Sequence, residues 1–156
     1  MQKPLPKRYS IVVIAISSPL LLGVYEEDSL IETISSEKKT SEILLPLLLE
    51  LLDKYAIHRV IYTRGPGSYM AIKLTYIMLK TLEITRGIQC FGCSGFSFNG
   101  GKPIKAIGNL YFFKEKETIM TQKYEQQVSI PFVLSQSIQD LVLDDASIPE
   151  YHLPAV

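Results

Sequence analysis

The sequence holds no tryptophan, two cysteines and two histidines in 156 residues. That scarcity excludes several chemistries. His-Glu-x-x-His is missing, so metallopeptidase chemistry by that route is ruled out. A single Cys-x-x-Cys pair, Cys90 and Cys93, cannot complete a four-ligand zinc site, and His58 and His152 lie far from it in sequence. A redox pair opens a helix, where the dipole lowers the thiol pKa. Here Gly87-Ile88-Gln89 before and Ser94-Gly95-Phe96 after read as a short buried strand entering a loop, which makes the pair structural. An excess of charge is missing too: 16 basic and 16 acidic residues give a formal net charge of zero. Phosphate neutralisation supplies most RNA affinity, and Lys38-Lys39 is a mild basic pair without an Arg-rich run, so direct RNA binding by this chain alone is not expected. Internal repeats and low-complexity tracts are absent.

A membrane-length apolar span is also lacking. Lys3, Lys7 and Arg8 precede an apolar run from Ile11 to Val24 that superficially looks like a signal peptide. Ser17-Ser18-Pro19 breaks that run, no small-x-small cleavage site follows before Glu26-Glu27, and the run is too short to cross a bilayer. It reads better as two buried strands joined by a turn. With 47% hydrophobic and 21% charged residues, the composition is that of an ordinary globular protein. A chain this long can bury a proper core without disulfides or metals.

Along the chain, Ile11 to Ile16 is β-branched and continuously apolar, as in a strand buried on both faces. Leu20 to Tyr25 and Ser29 to Ser35 follow as strands in an antiparallel meander. Thr40 or Ser41 then caps a helix running to about Tyr55, with Glu42 favourable in its first turn. Its leucines cover nearly the whole circumference, where a surface helix carries one stripe, so two faces are expected to be covered. Pro46 inside it predicts a kink or first-turn irregularity. Val60 to Thr63 is a fourth strand, Arg64-Gly65-Pro66-Gly67-Ser68 a glycine-rich turn, and Tyr69 to about Arg86 a second helix, ended by Gly87. Ile88 to Cys93 is a fifth strand, parallel to the fourth through a crossover. Beyond Ser94, residues 105–107 and 109–114 read as a hairpin near Gly108 or one bent strand, and 118–145 as short strands and a poor helix.

A glycine-rich turn before a helix can hold an anion. This one is neither a Walker loop nor a Gly-x-Gly-x-x-Gly fingerprint, and a tight turn with close backbone approach explains it better. The carboxylates of Glu26-Glu27-Asp28 and Asp144-Asp145 read as solvated turn residues. No nucleophile is placed beside His58 by any motif.

Three antiparallel strands, helix, strand, helix, strand is the order of half an actin/Hsp70/sugar-kinase (ASKHA) fold. The segment Arg64-Gly65-Pro66-Gly67-Ser68-Tyr69 is similar to the Gly-Pro-Gly-Ser-Phe-Thr-Gly-x-Arg signature of the TsaB (YeaZ) family. The likeness continues at Lys73, Lys80, Gly87-Ile88 and Gly92-Cys93-Ser94. It extends upstream to Thr40-Ser41-Glu42-Ile43-Leu44-Leu45-Pro46 and, weakly, to Pro149-Glu150-Tyr151-His152-Leu153. The departures are Ala15-Ile16-Ser17 for the family's Asp-Thr-Ser, Lys39 or Thr40 for its histidine, and Gly108-Asn109-Leu110-Tyr111 for a longer Asp-Ala-Arg-x-x-Glu-Val-Tyr segment. Without the Asp carboxylate there is no obvious hold for Mg²⁺.

The resemblance implies an α/β ASKHA-like N-terminal lobe over residues 1–98 and a reduced second lobe with a C-terminal return segment over 99–156. It implies a non-catalytic subunit without cofactor or metal, cytoplasmic and not membrane-bound. Such a subunit binds TsaD directly, joins TsaE in a larger complex and meets tRNA only indirectly. It would thereby support threonylcarbamoyl transfer to adenosine of tRNAs reading ANN codons, and it would form a homodimer when alone. The implied interface is Leu44, Leu48 and Leu51 on the first helix and Ala71, Thr75, Met78 and Leu82 on the second. Gly65, Pro66, Gly67 and Ser68 would fix the start of the second helix. A large charged residue at Ala71 or Thr75 is then expected to abolish the heterodimer and leave the fold intact. The alternative is a stand-alone ASKHA-type ATPase or small-molecule kinase, against which Ala15 argues.

Overall fold

A computed structural model describes residues 5–126 and 131–151. The apolar run near the N-terminus forms two strands, β1 (Tyr9–Ile14) and β2 (Leu20–Glu26), which pair antiparallel, and β3 (Ser29–Ser36) continues the meander. Helix α1 (Thr40–Lys54) leads to β4 (Ile57–Gly65), which lies parallel to β1. Helix α2 (Tyr69–Arg86) then leads to β5 (Gln89–Ser94), parallel to β4. The result is a five-stranded mixed sheet in the order β3-β2-β1-β4-β5. Among the described residues, no helix is long and apolar enough to cross a membrane.

β1 lies in the middle of this sheet and is buried on both faces, which explains its unbroken apolar run. Successive side chains alternate between faces. Ile11 and Val13 join Leu44, Leu48, Leu51, Leu79 and Leu82 in the core beneath the helices. Val12 and Ile14 join a second core on the opposite face, with Ile61, Cys93, Phe96 and Phe112.

The second core is closed largely by described segments after β5, with Ile72 of α2. A 3-10 turn, Gly95–Phe98, delivers Phe96 and Phe98. A three-stranded antiparallel sheet follows, built from β6 (Ile104–Lys105), β7 (Leu110–Glu115) and β8 (Thr118–Lys123). Residues 131–151 return across the large sheet with little regular structure: Leu30 N–H donates to Gln136 O, and Asp144 N–H to Gly92 O. The hairpin near Gly108 is therefore present as β6 and β7.

Three local expectations change. No helix forms among the described residues of 118–145; β8 and an irregular strap take its place, because although Leu134, Ile138 and Leu141 recur at helical spacing, the strap's backbone bonds to Phe98, Leu30 and Asp28 instead. The N-cap of α1 is Lys39 rather than Thr40 or Ser41, with no side-chain cap bond; Glu42 N–H donates instead to Lys39 O. β4 is longer than Val60 to Thr63, since Ile57 to Arg59 pair with Tyr9 and Ser10 of β1 and with Gln89 of β5. Helix α2 spans the expected residues and ends at Gly87, whose φ of 69° is the left-handed conformation that favours glycine.

Candidate functional site

The leucine-rich first helix spends most of its apolar surface inside the molecule. Leu44, Leu48 and Leu51 are buried against the sheet, and Leu47, Leu49 and Leu52 pack half-buried around them. On α2, Thr75 and Leu82 are buried and Met78 is half-buried against the same core. The expectation that Leu44, Leu48, Leu51, Thr75 and Leu82 face a partner is therefore corrected: the four leucines pack into the core with this chain's own strands, and Thr75 is buried. Spacing could not separate the two faces of a helix that is apolar nearly all round. Thr75 is 1% exposed and its hydroxyl donates to Ala71 O, so a large charged residue there would break the core and not merely an interface.

The outward face of α2 carries a different set. Met70, Ile77 and Ile84 are 58%, 50% and 83% exposed. Their seven-residue spacing keeps them on one side of the helix. Half-buried Leu74 and exposed Thr81 lie between them, and Lys73 and Lys80 stand at matching positions along this strip. Leu45 is the exposed leucine of α1.

The glycine-rich turn is closed from both sides by the chain itself. A Cβ at Gly67 would lie 2.5 Å from Ile16 Cβ and 2.9 Å from Ile16 O, and Ser68 N–H donates to that same oxygen. Glycine at 67 thus lets the turn dock on the residues after β1. A Cβ at Gly65, whose φ is +145°, would lie 2.5 Å from Glu150 O. Pro66 is buried between them. Gly65, Pro66, Gly67 and Ser68 accordingly set the start of α2 by packing, and the C-terminal segment occupies the space beside Gly65.

Arg64 holds that segment. Its Nη1 lies 3.0 Å from Asp144 Oδ2 and 3.4 Å from Glu150 Oε2, and its Nε donates to Ile148 O at 2.6 Å. Asp144 is therefore an ion-pair partner and not a solvated turn residue. Tyr62 donates its hydroxyl to Ser147 O, and burial pushes its phenol pKa up, so it stays a donor. Neither Arg64 nor these partners stood out as a site in the sequence; an arginine directly before Gly-Pro-Gly-Ser was the available signal.

A cavity of about 330 Å³ opens between the end of β1 and the first turns of both helices. Ala15 and Ser17 line it from the strand side, Lys38, Lys39 and Thr40 from the start of α1, and Ser68 and Ala71 from α2. The residue matching the family's aspartate is thus an alanine that lines this cavity. Glu37 is the carboxylate in the lining.

Cys90 and Cys93 sit on β5 three residues apart, so strand alternation sends them to opposite faces. Cys90 packs against the helix-side core and Cys93 lies in the other. Burial raises the thiol pKa of Cys90 to about 11 and of Cys93 to about 12, so both stay protonated at neutral pH. His58 Nδ1–H donates to Tyr9 O at 2.7 Å, a structural bond between β4 and β1. His152 lies outside the described residues. Among the described residues, no group of three or more His, Cys, Asp or Glu is arranged to hold a metal ion.

A five-stranded mixed sheet with two helices defines an α/β protein, and solved structures share this fold. The structure superposes on YeaZ from Pseudomonas aeruginosa with a TM-score of 0.58, at 12% identity over 82% of this chain and 72% of that one. A second structure, described as an uncharacterized protein with similarity to peptidase YEAZ from Pseudomonas aeruginosa, matches with a TM-score of 0.54 and 12% identity over 81% and 71% of the two chains. No family model and no curated protein matches the sequence. The resemblance drawn from the Arg64 to Tyr69 segment is thereby borne out at the level of the fold.

Proposed function

We propose that this chain is a non-catalytic partner subunit of the TsaB (YeaZ) kind, which docks a TsaD protein through the outward face of α2. The observation that carries the reading is the row of Met70, Ile77 and Ile84, three large apolar side chains exposed at seven-residue spacing on one helix. Exposed apolar rows of this kind mark partner surfaces, since fully burying each such side chain is worth about 1.5–3 kcal/mol. The YeaZ-like fold supports the choice of partner, and Ala15 in place of the family's aspartate supports a supporting role over a catalytic one. In this reading the chain serves threonylcarbamoyl transfer to tRNA adenosine by positioning TsaD, with TsaE joining the larger complex. It meets tRNA only through its partners, works in the cytoplasm and pairs with itself when TsaD is missing.

The test is co-expression with the TsaD protein of the same organism, followed by size-exclusion chromatography with light scattering. A stable hetero-complex is expected, and Ile77→Glu should abolish it while changing unfolding stability by less than about 0.5 kcal/mol. Free TsaD beside a lone monomer or homodimer of the wild-type chain would overturn the function and leave the fold untouched.

A further inference from the structure

The returning strap is held in two unequal ways. Its first part is pinned by burial: Leu134 and Ile138 lie in the second core, and Leu141 and Leu143 pack half-buried against it. Backbone and hydroxyl bonds add to that hold, with Val133 N–H donating to Phe98 O, Ile138 N–H to Asp28 O, and the Tyr25 hydroxyl to Ser135 O. From Asp144 to Tyr151 no residue is buried, and Ile148 and Tyr151 are exposed.

Among the polar contacts of this last part, Arg64 makes the most. Arg64 bridges the carboxylates of Asp144 and Glu150, donates to Ile148 O, and accepts Glu150 N–H at its own carbonyl at 2.7 Å. Asp144 N–H to Gly92 O, the Tyr62 hydroxyl to Ser147 O, and the Tyr69–Tyr151 ring pair at 4.6 Å add to the hold. The segment ends on the Gly65 to Ser68 turn and on Tyr69, the first residue of α2, immediately before Met70. Parts with little buried apolar surface open first.

We propose that residues 144–151 form a latch, closed by Arg64, that sets the order of the first turn of α2 and so tunes docking at the outward face of that helix. Closed, the latch packs Glu150 against Gly65 and Tyr151 against Tyr69, which keeps Met70 in register with Ile77 and Ile84. Open, the turn loses its cover and the start of the docking row frays. A partner must then re-order that turn on binding, which weakens affinity. The effect on docking rests on the partner-subunit reading; the latch itself does not.

Hydrogen exchange read by mass spectrometry on the full chain tests it, comparing wild type with Arg64→Lys, which keeps the charge but loses the fork. Exchange should quicken about tenfold in peptides covering residues 65–74 and 144–151, and not in β1, β2 or α1. Faster exchange of 144–151 with 65–74 unchanged overturns the coupling, and no change in either overturns the clasp. If Arg64→Lys loosens the whole sheet, the double variant Asp144→Asn with Glu150→Gln decides, because both carboxylates lie outside the core. Affinity for TsaD separates the two readings. A wild-type chain that fails to bind sinks the partner role but not the latch, whereas latch variants that bind as tightly as wild type overturn the tuning.

Discussion

The large sheet is covered on one face by two regular helices and on the other by a small sheet and an irregular strap. The helix side joins through leucines at helical spacing: Leu44, Leu48 and Leu51 of α1 and Leu79 and Leu82 of α2 form one core with Ile11, Val13, Leu22 and Val60 of the strands, while Ile72 of α2 reaches the other core. The other side collects its core from distant pieces: Phe96 and Phe98 from a 3-10 turn, Ile104 and Phe112 from the small sheet, Leu134 and Ile138 from the strap. Both cores are closed, but one is built from local periodicity and the other from long-range return. The two should therefore match in depth and differ in how firmly their edges hold.

The largest expected effect tests the depth. Leu48→Ala and Leu134→Ala each remove a buried side chain, one from each core, and each should cost about 2–5 kcal/mol in denaturant unfolding. If the cores form one cooperative unit, both variants shift the midpoint of a single transition with an unchanged slope. A second transition in Leu134→Ala alone would show that the strap face melts separately.

The same contrast explains what could be read from the sequence. β1 was legible because a central strand is apolar at every position, and α2 because Ser68 and Gly87 bound a long helical run. The strap was not legible: Leu134, Ile138 and Leu141 recur at helical spacing, yet its backbone bonds go to Phe98, Leu30 and Asp28, partners distant in sequence. The glycine turn was legible as a turn, but its cover was not, since Glu150 meets Gly65 across 85 residues of chain that no local rule connects. Nor could spacing tell the buried Leu44, Leu48 and Leu51 from the exposed Met70, Ile77 and Ile84. When a helix is apolar on most faces, its periodicity no longer says which face the sheet takes.

The next effect concerns the seam between the faces. Gly67→Ala would force a Cβ against Ile16, whose Cβ lies 2.5 Å away, and overpacking of this kind costs about 1–3 kcal/mol. Thermal unfolding should show the loss, with exchange quickening in the first turn of α2. A variant as stable as wild type would mean that the end of β1 yields, and that the turn is not the fixed point of the helix.

Alkaline pH separates the cores more gently. Burial pushes Cys93 from 9.0 up to about 12, so between those values the unfolded thiol ionises while the folded one does not. The unfolded state then binds fewer protons, and stability falls as pH rises through that window. Cys93→Ala should flatten this alkaline limb while lowering stability at neutral pH through lost packing. Cys90, pushed only to about 11 and half-buried, should react first when a thiol reagent is added to the folded protein.

The smallest effect lies at the edge of the helix side, where a second polar clasp invites comparison with Arg64. Tyr55 donates its hydroxyl to Glu32 at 2.6 Å, and Lys54 lies 3.2 Å from the same carboxylate. The bond from Tyr55 is the main cause that holds the Glu32 carboxyl below its ordinary 4.5; Lys54 adds to it, and partial burial opposes both. A carboxylate with a lowered folded pKa contributes stability that is present above its unfolded value and lost as pH falls through the folded one. Tyr55→Phe should therefore return the carboxyl toward 4.5 in an NMR titration and trim a little stability near neutral pH. Exposed ion pairs contribute little and are screened by salt. Leu44, Leu48 and Leu51 of α1 stay buried whether or not this clasp is made, so no segment should open when it is lost. Arg64 has no such core beneath the segment it holds. If Tyr55→Phe quickened exchange across α1 as Arg64→Lys is expected to do across residues 144–151, the contrast between a face held by packing and a segment held by polar contacts centred on Arg64 would fail.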